Sequence, residues 1–388
     1  MLIGSEILET LCCPLTGNPL RMKTERELAA LNGEIAQGRV RYSSGAEVAG
    51  ALEGALTTSD GASVYGIREG IVSLLPSLRI TPRGESGAPV ADGRHGAVSG
   101  SYDESWEALS LGWDRVGPPQ RPSRDDIETL ERLVADGVGS RRGPSLRVLL
   151  LGVTPEIATM RWPAGTSLLA LDNTPGMIRN VWPARRVARG VAVLADWTAM
   201  PVRDSAYDLA VGDASLTTMP YPDGFAAVAA ELRRVLADGA ALVMREFARP
   251  EESEPLDAIF RDLHEGREIS LSFFTWRLAM AVHGDLESGC DWNGVWDAWC
   301  RYVPDPDALM RSLGWPPETS RFLEALREVK RPALFPTLNE MREAFAREFD
   351  QVACHVPDYE DGERYPTVVF KAKARSRTRS TSSPGASS

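Results

Sequence analysis

Four short apolar runs between residues 146 and 215 each stop at a small or acidic residue. They read Leu146-Arg-Val-Leu-Leu-Leu-Gly152, Ser167-Leu-Leu-Ala-Leu-Asp172, Val191-Ala-Val-Leu-Ala-Asp196-Trp197 and Tyr207-Asp-Leu-Ala-Val-Gly212-Asp213-Ala-Ser215. Runs of this length, alternating with helical patterns, predict βαβ units and a parallel sheet. A fifth strand is expected at 242–247, after a helix at 223–236 and a turn at 236–240. Ligands of such sheets sit outside the carboxyl ends of the strands, near the point where strand order reverses. The four run ends therefore describe one pocket.

The rhythm changes on either side. Residues 1–78 predict a small α+β unit, with a short helix at 5–11 and strands later. Residues 79–100 are rich in Gly, Pro, Ser and Ala and read as a linker; His95 lies there. Residues 101–250 form the cofactor domain. Its leading segment carries Tyr102, Trp106 and Trp113 and reads as an aromatic lid or as core packing, followed by a helix over 124–138 capped by Ser123. Over 251–348 the pattern is helical, with helices at 251–265, 269–283, 294–302, 305–313, 318–329 and 338–348. This block holds Trp276, Trp292, Trp296, Trp299 and Trp315, an aromatic substrate cover or a compact helical core. A closing hairpin at 349–374 is expected to supply the last two strands of the sheet. The basic, Ser-rich tail at 375–388 predicts disorder.

Composition narrows the function. The 388 residues exceed one common domain, and 43% hydrophobic content is ordinary for a globular chain. A net charge of −11 argues against a nucleic-acid partner, whose binding depends on Lys and Arg at phosphates. No apolar run reaches the roughly 20 residues of a membrane span, and residues 1–6 lack the pattern of a signal peptide. Five cysteines, at 12, 13, 290, 300 and 354, contain no C-x-x-C and suit reduced thiols in a cytoplasm.

The first loop, Gly152-Val-Thr-Pro-Glu156, has one glycine and an acid where a dinucleotide site needs G-x-G-x-x-G. A phosphate-free ligand fits it better. Asp172 lies about twenty residues beyond the glycine, the spacing of an acid that accepts from ribose hydroxyls. An adenosyl group with an amino-acid tail satisfies both, its ribose at Asp172, its adenine near Asp196 and Trp197, and its amino group near Gly152 and Gly212. Plainer readings stand beside these. Asp172 suits a helix cap, Gly152 a plain turn, Asp196 and Trp197 a surface acid beside a core aromatic, and Asp213 and Ser215 a strand terminus.

Residues 146–247 resemble class I S-adenosylmethionine-dependent methyltransferases, including Arg233-Arg-Val-Leu-Ala-Asp-Gly-Ala240 before the fifth strand. The first loop departs from that family's G-x-G-x-G. With Met177-Ile-Arg-Asn-Val-Trp-Pro183, Ala195-Asp-Trp-Thr-Ala-Met-Pro201, Asp358-Tyr-Glu360 and Glu363-Arg-Tyr-Pro366, it is similar to a bacterial subgroup with a GVTPE loop. The resemblance implies an α/β, Rossmann-like seven-stranded sheet with its last strand antiparallel, S-adenosylmethionine as cofactor, and a small or medium acceptor as substrate. It places Gly152, Val153, Thr154, Glu156, Asp172, Asn173, Met177, Asp196, Trp197, Gly212, Asp213 and Ser215 at the cofactor. Asp213, His264 and His283 are the candidates for a base, if the acceptor requires one. Two rivals are other chemistry on the same fold and a non-catalytic scaffold.

The N-terminal unit, through Cys13-Pro14, Pro19-Leu20, Tyr65, Ile67, Gly70-Ile71 and Leu74-Leu-Pro76, resembles the small zinc-ribbon activators of methyltransferases. Thr16 stands where their second cysteine would be, so no metal is expected, since a closed zinc site needs four ligands. This unit is expected to dock on its own catalytic domain. The oligomeric state is left open.

Overall fold

The computed structural model describes residues 3–84, 104–136, 145–268, 270–316, 321–329 and 331–375. The N-terminal unit contributes strands β1 (Leu20–Met22), β2 (Val40–Tyr42), β3 (Gly54–Thr58), β4 (Val64–Arg68), β5 (Ile71–Ser73) and β6 (Arg79–Pro82). The following part contributes β7 (Arg147–Leu151), β8 (Ser167–Asp172), β9 (Gly190–Leu194), β10 (Tyr207–Asp213), β11 (Leu236–Arg245), β12 (Phe349–His355) and β13 (Thr367–Ala372).

The second group forms a doubly wound α/β sheet in the order β9-β8-β7-β10-β11-β13-β12. Strands β9, β8, β7, β10 and β11 are parallel, and β13 runs antiparallel to both neighbours. This is the Rossmann-like arrangement with an antiparallel last strand that the resemblance implies; the apolar runs predict its parallel strands. The central strands are buried along almost their whole length, as expected where helices cover both faces. Chain direction across the sheet reverses between β7 and β10, so their carboxyl ends flank the crevice.

The sheet does not stop at β9. Strand β5 pairs with it in parallel, Val72 opposite Val193 and Ser73 opposite Leu194, and β4, β3 and β1 continue outward. A second seam lies at the base of the N-terminal helix Ser5–Leu8. There Leu11 bridges Val202, Cys12 N donates to Pro201 O at 3.0 Å, and the Thr10 and Tyr207 hydroxyls lie 3.0 Å apart. Leu11, Leu56 and Val72 share one core with Leu171, Val193 and Val202. Cys13 is buried, its sulfur 3.3 Å from the Tyr65 hydroxyl and 3.5 Å from the Ser63 hydroxyl.

Several expected boundaries move. The linker expected from residue 79 begins later, because Arg79–Pro82 pairs with β2 and β4 as β6. Residues 85–100, with His95, and 376–388 of the expected tail lie outside the described residues. The turn expected at 236–240 is part of β11, which absorbs Gly239 at φ +74° and ends at Arg245 rather than at 247. The helical block is present as Leu256–His264, Leu271–Val282, Trp292–Tyr302, Pro306–Leu313, Arg321–Leu326 and Leu338–Phe345. Its last helix starts at a reciprocal cap in which Thr337 N donates to Glu340 and Glu340 N to the Thr337 hydroxyl. Among the described residues no helix is long and apolar enough to cross a membrane.

The shared core yields a first prediction. Leu11 is fully buried at the seam. Leu11→Ala should lower the stability of the whole chain by about 2–5 kcal/mol, with one cooperative transition followed by both far-UV and tryptophan signals. Two separated transitions with the later one unmoved would show that the N-terminal unit folds independently.

Candidate functional site

The carboxyl ends of β7, β8 and β10 enclose a cavity of ≈ 650 Å³ including its open mouth. Leu151–Thr154, Asp172–Thr174, Met177, Trp197 and Asp213 line it from the sheet side, and Trp106, Trp113 and Gln120 from the cover. Gly152 ends β7 at φ +88°, a conformation that favours glycine, and its amide donates to Leu171 O at 2.8 Å. A Cβ built there would stand 4.0 Å from Asp172 Oδ2. The bare backbone of Gly152 thus keeps the space beside that oxygen open.

Asp172 ends β8 and is 8% exposed. Its Oδ1 accepts from Thr174 N at 2.8 Å, which fixes the carboxylate plane. Burial pushes its pKa up to about 7, against the hydrogen bonds from Thr174 and Asn173. Beyond β9, Trp197 lies on the cavity wall and is held by its indole N–H, which donates to Leu171 O at 2.7 Å. The cover is tied down by Glu107 in the helix Glu104–Ser110, which accepts from Gly176 N at 2.8 Å.

Val153, Thr154, Asn173 and Met177 of the expected set line the cavity with Gly152, Asp172, Trp197 and Asp213. Four others are placed differently. Glu156 faces Arg121, whose Nε donates to it at 2.7 Å, and so it backs the wall instead of lining it. Asp196 turns to Thr198, accepting from its amide and its hydroxyl at 2.8 Å each, and caps the short turn Trp197–Ala199. Gly212 and Ser215 pack on each other: a Cβ on Gly212 would meet Ser215 Oγ at 2.6 Å, and Ser215 is buried. These four lie outside the cavity lining.

The candidate bases are corrected too. His264 is remote from the cavity, with Nε2 3.1 Å from Tyr302 O on the outer face of the helical block. His283 is occupied on both sides. Its Nδ1 lies 2.7 Å from Gly284 O and its Nε2 accepts from Phe335 N at 3.2 Å, and burial lowers its pKa. It lines a separate crevice with Arg249 and Arg364. Asp213 does reach the cavity, but both its oxygens are engaged, by Arg245 Nη1 at 2.6 Å and by the Thr154 hydroxyl at 3.3 Å. Burial raises its pKa, and Arg245 opposes that rise. It is a structural acid rather than a free base.

Sequence reasoning passed over the residue that organises this end of the sheet. Arg245 closes β11 with no exposed side-chain surface, pairing with Asp213 at 2.6 Å and Asp126 at 3.1 Å and donating to Pro119 O at 2.6 Å. Its guanidinium lies over the rings of Phe247 and Tyr365. Next to it, fully buried Glu246 accepts from the amides of Ser215 and Leu216, and burial pushes its pKa up to about 8. The available signal was Arg-Glu at the end of an otherwise apolar strand, a pattern that demands buried partners.

A second, larger cavity of ≈ 1020 Å³ adjoins the first and shares Trp106, Trp113, Gln120, Ala214 and Thr218 with it. Its far wall comes from the helical block, through Trp276, Trp292 and residues near 326–333. Ala214, at the neck, adopts φ +50°, an uncommon left-handed conformation for alanine.

No protein-family model and no curated protein matches the chain. Solved structures do resemble it. One is an N-methyltransferase from Bradyrhizobium japonicum in complex with S-adenosyl-L-homocysteine, at 11% identity and TM-score 0.37, covering 69% of this chain and 98% of that one. A second is a SAM-dependent methyltransferase from Methanosarcina mazei, at 16% identity and TM-score 0.36, covering 62% and 98% respectively. A third is the magnesium protoporphyrin IX methyltransferase of Synechocystis with bound S-adenosylhomocysteine, at 13% identity and TM-score 0.39, covering 70% and 97%. At these scores no residue role and no activity passes from them to this chain.

The buried charge network gives a second prediction. Arg245→Met would leave Asp126 and Asp213 in the interior without their cation. The variant should lose about 3–5 kcal/mol in urea denaturation. A loss below about 1 kcal/mol would show that solvent reaches the pair.

Proposed function

We propose that the chain is an S-adenosylmethionine-dependent methyltransferase acting on a small or medium-sized acceptor. The observation that carries this is the pairing of Gly152 with Asp172 at adjacent strand ends. One carboxylate oxygen is fixed by Thr174, and the other faces space kept open by a glycine. A carboxylate so placed suits the two hydroxyls of a ribose. The single-glycine loop and Glu156 behind it disfavour a pyrophosphate, so a nucleoside without phosphates is the better occupant. The apolar faces of Trp197 and Met177 suit a purine ring. When bound, S-adenosylmethionine would supply an electrophilic methyl group on sulfur.

The chain's own task is then alignment and exclusion of water. Trp106 and Trp113 cover the cavity, and the neck at Ala214 and Thr218 joins it to the acceptor space. Holding two reactants in one geometry is enough to accelerate a transfer whose donor is already activated. The reading needs no metal. The N-terminal unit, fused through the β5–β9 seam, serves in it as an internal support for the catalytic domain.

Calorimetric titration with S-adenosylhomocysteine tests the reading. Asp172→Ala should abolish measurable binding without unfolding the chain. The pH dependence has a definite sign. Hydroxyl donors favour the ionised carboxylate, and Asp172 is protonated below its raised pKa of about 7. Affinity should therefore rise about tenfold between about pH 6 and about pH 8, and Asp172→Asn should flatten that dependence. No binding by the intact protein, or an affinity indifferent to both substitutions, would reject the proposal.

A further inference from the structure

The larger cavity has an uneven polar character. Among the described residues Arg331 is its one charged lining residue, and no ion pair or hydrogen bond with another described residue engages its guanidinium. The indole N–H groups of Trp113 and Trp276, both lining residues, are buried without a hydrogen-bond partner. Such donors are seldom left unmade in an interior. The acceptors nearby are in use: Gln120 Oε1 takes the Ser272 hydroxyl at 3.5 Å, while the Thr217 hydroxyl donates to Ala214 O at 2.8 Å. Among the described residues no carboxylate and no imidazole lines the space. The charge the described lining offers is therefore cationic, set in walls of tryptophan, phenylalanine and aliphatic carbon.

We infer that this cavity takes a planar aromatic acceptor that carries a negative charge, as carboxylate, phenolate or enolate, beside Arg331. The inference rests on reading the adjoining cavity as the cofactor site. Tryptophan faces bind flat apolar rings, and a guanidinium that pairs with no described residue matches an oxyanion. The lack of a base in the lining fits the same class. An anionic acceptor forms its bond to the methyl carbon with its own electron pair, the carbon–sulfur pair passes to sulfur, and no proton has to leave. A neutral alcohol would need a base, and the described lining holds none.

Tryptophan fluorescence of the full-length protein, titrated with anthracene-2-carboxylate and with 2-anthracenemethanol, tests the inference. The carboxylate should bind at least about tenfold more tightly than the isosteric alcohol. Arg331→Gln should remove that preference while leaving the alcohol's affinity within about twofold. Arg331→Lys should keep most of it. Equal affinity for the two probes, binding of neither, or a preference that survives Arg331→Gln would overturn the inference. The titrations are run with and without S-adenosylhomocysteine. Acid-selective binding in a protein that never binds S-adenosylhomocysteine would leave this pocket assignment standing and reject the cofactor reading. Cofactor binding without acid selectivity would do the reverse.

Discussion

Everything at the functional end of the sheet hangs on one buried cation. Arg245 joins the amino end of the helix Arg124–Ala135, through Asp126, to the carboxyl end of β10, through Asp213. It also holds the Pro119 carbonyl, and so the segment that carries Gln120 over the neck. Removing three charged groups from water is costly, and only their mutual pairing offsets that cost. The geometry is correspondingly unforgiving: the carboxylates can approach each other only while the guanidinium stands between them. Asp213 is thereby held against Thr154 on the first loop, and the wall of the smaller cavity is fixed from behind.

A different economy governs the opposite edge. An open edge at β9 would present unpaired backbone groups to solvent and to other chains. Here the N-terminal unit covers that edge with β5 and then extends the sheet outward. Its core is continuous with that of the α/β domain, so the two parts share their apolar burial. The same unit stays clear of the cavities, whose walls come from β7, β8, β10, the lid segment and the helical block. The fused unit still reaches the surroundings of the site outside the sheet, where Glu69 pairs at 2.8 Å with Arg179 of the helix Pro175–Asn180 that carries Met177.

Within the site, the two cavities differ in what they offer a ligand. The smaller holds a fixed carboxylate and a bare glycine backbone and is suited to hydroxyl groups. The larger offers Arg331 in an aromatic shell. The shared neck at Ala214 and Thr218 joins a space suited to hydroxyl groups to one walled by aromatic rings.

Much of this was legible in the chain itself. Apolar runs ending at Gly152, Asp172 and Asp213 determined the parallel strands and which of their ends would meet, because a strand buried on both faces admits few polar residues except at its termini. Capping pairs such as Ser123 with Asp126 fixed helix starts locally. The sequence alone did not decide which polar residues near those ends face the cavity. Asp196 and Ser215 stand beside lining residues, yet one turns to Thr198 and the other packs on Gly212. That choice depends on partners remote in the chain, as do the placing of His283 against Phe335, the burial of Arg245 among residues 119, 126 and 213, and the absorption of the expected turn at 236–240 into β11. Local periodicity reports one residue's exposure on its own element; which groups share a pocket is set by how the elements cross, and only the tertiary structure decides that.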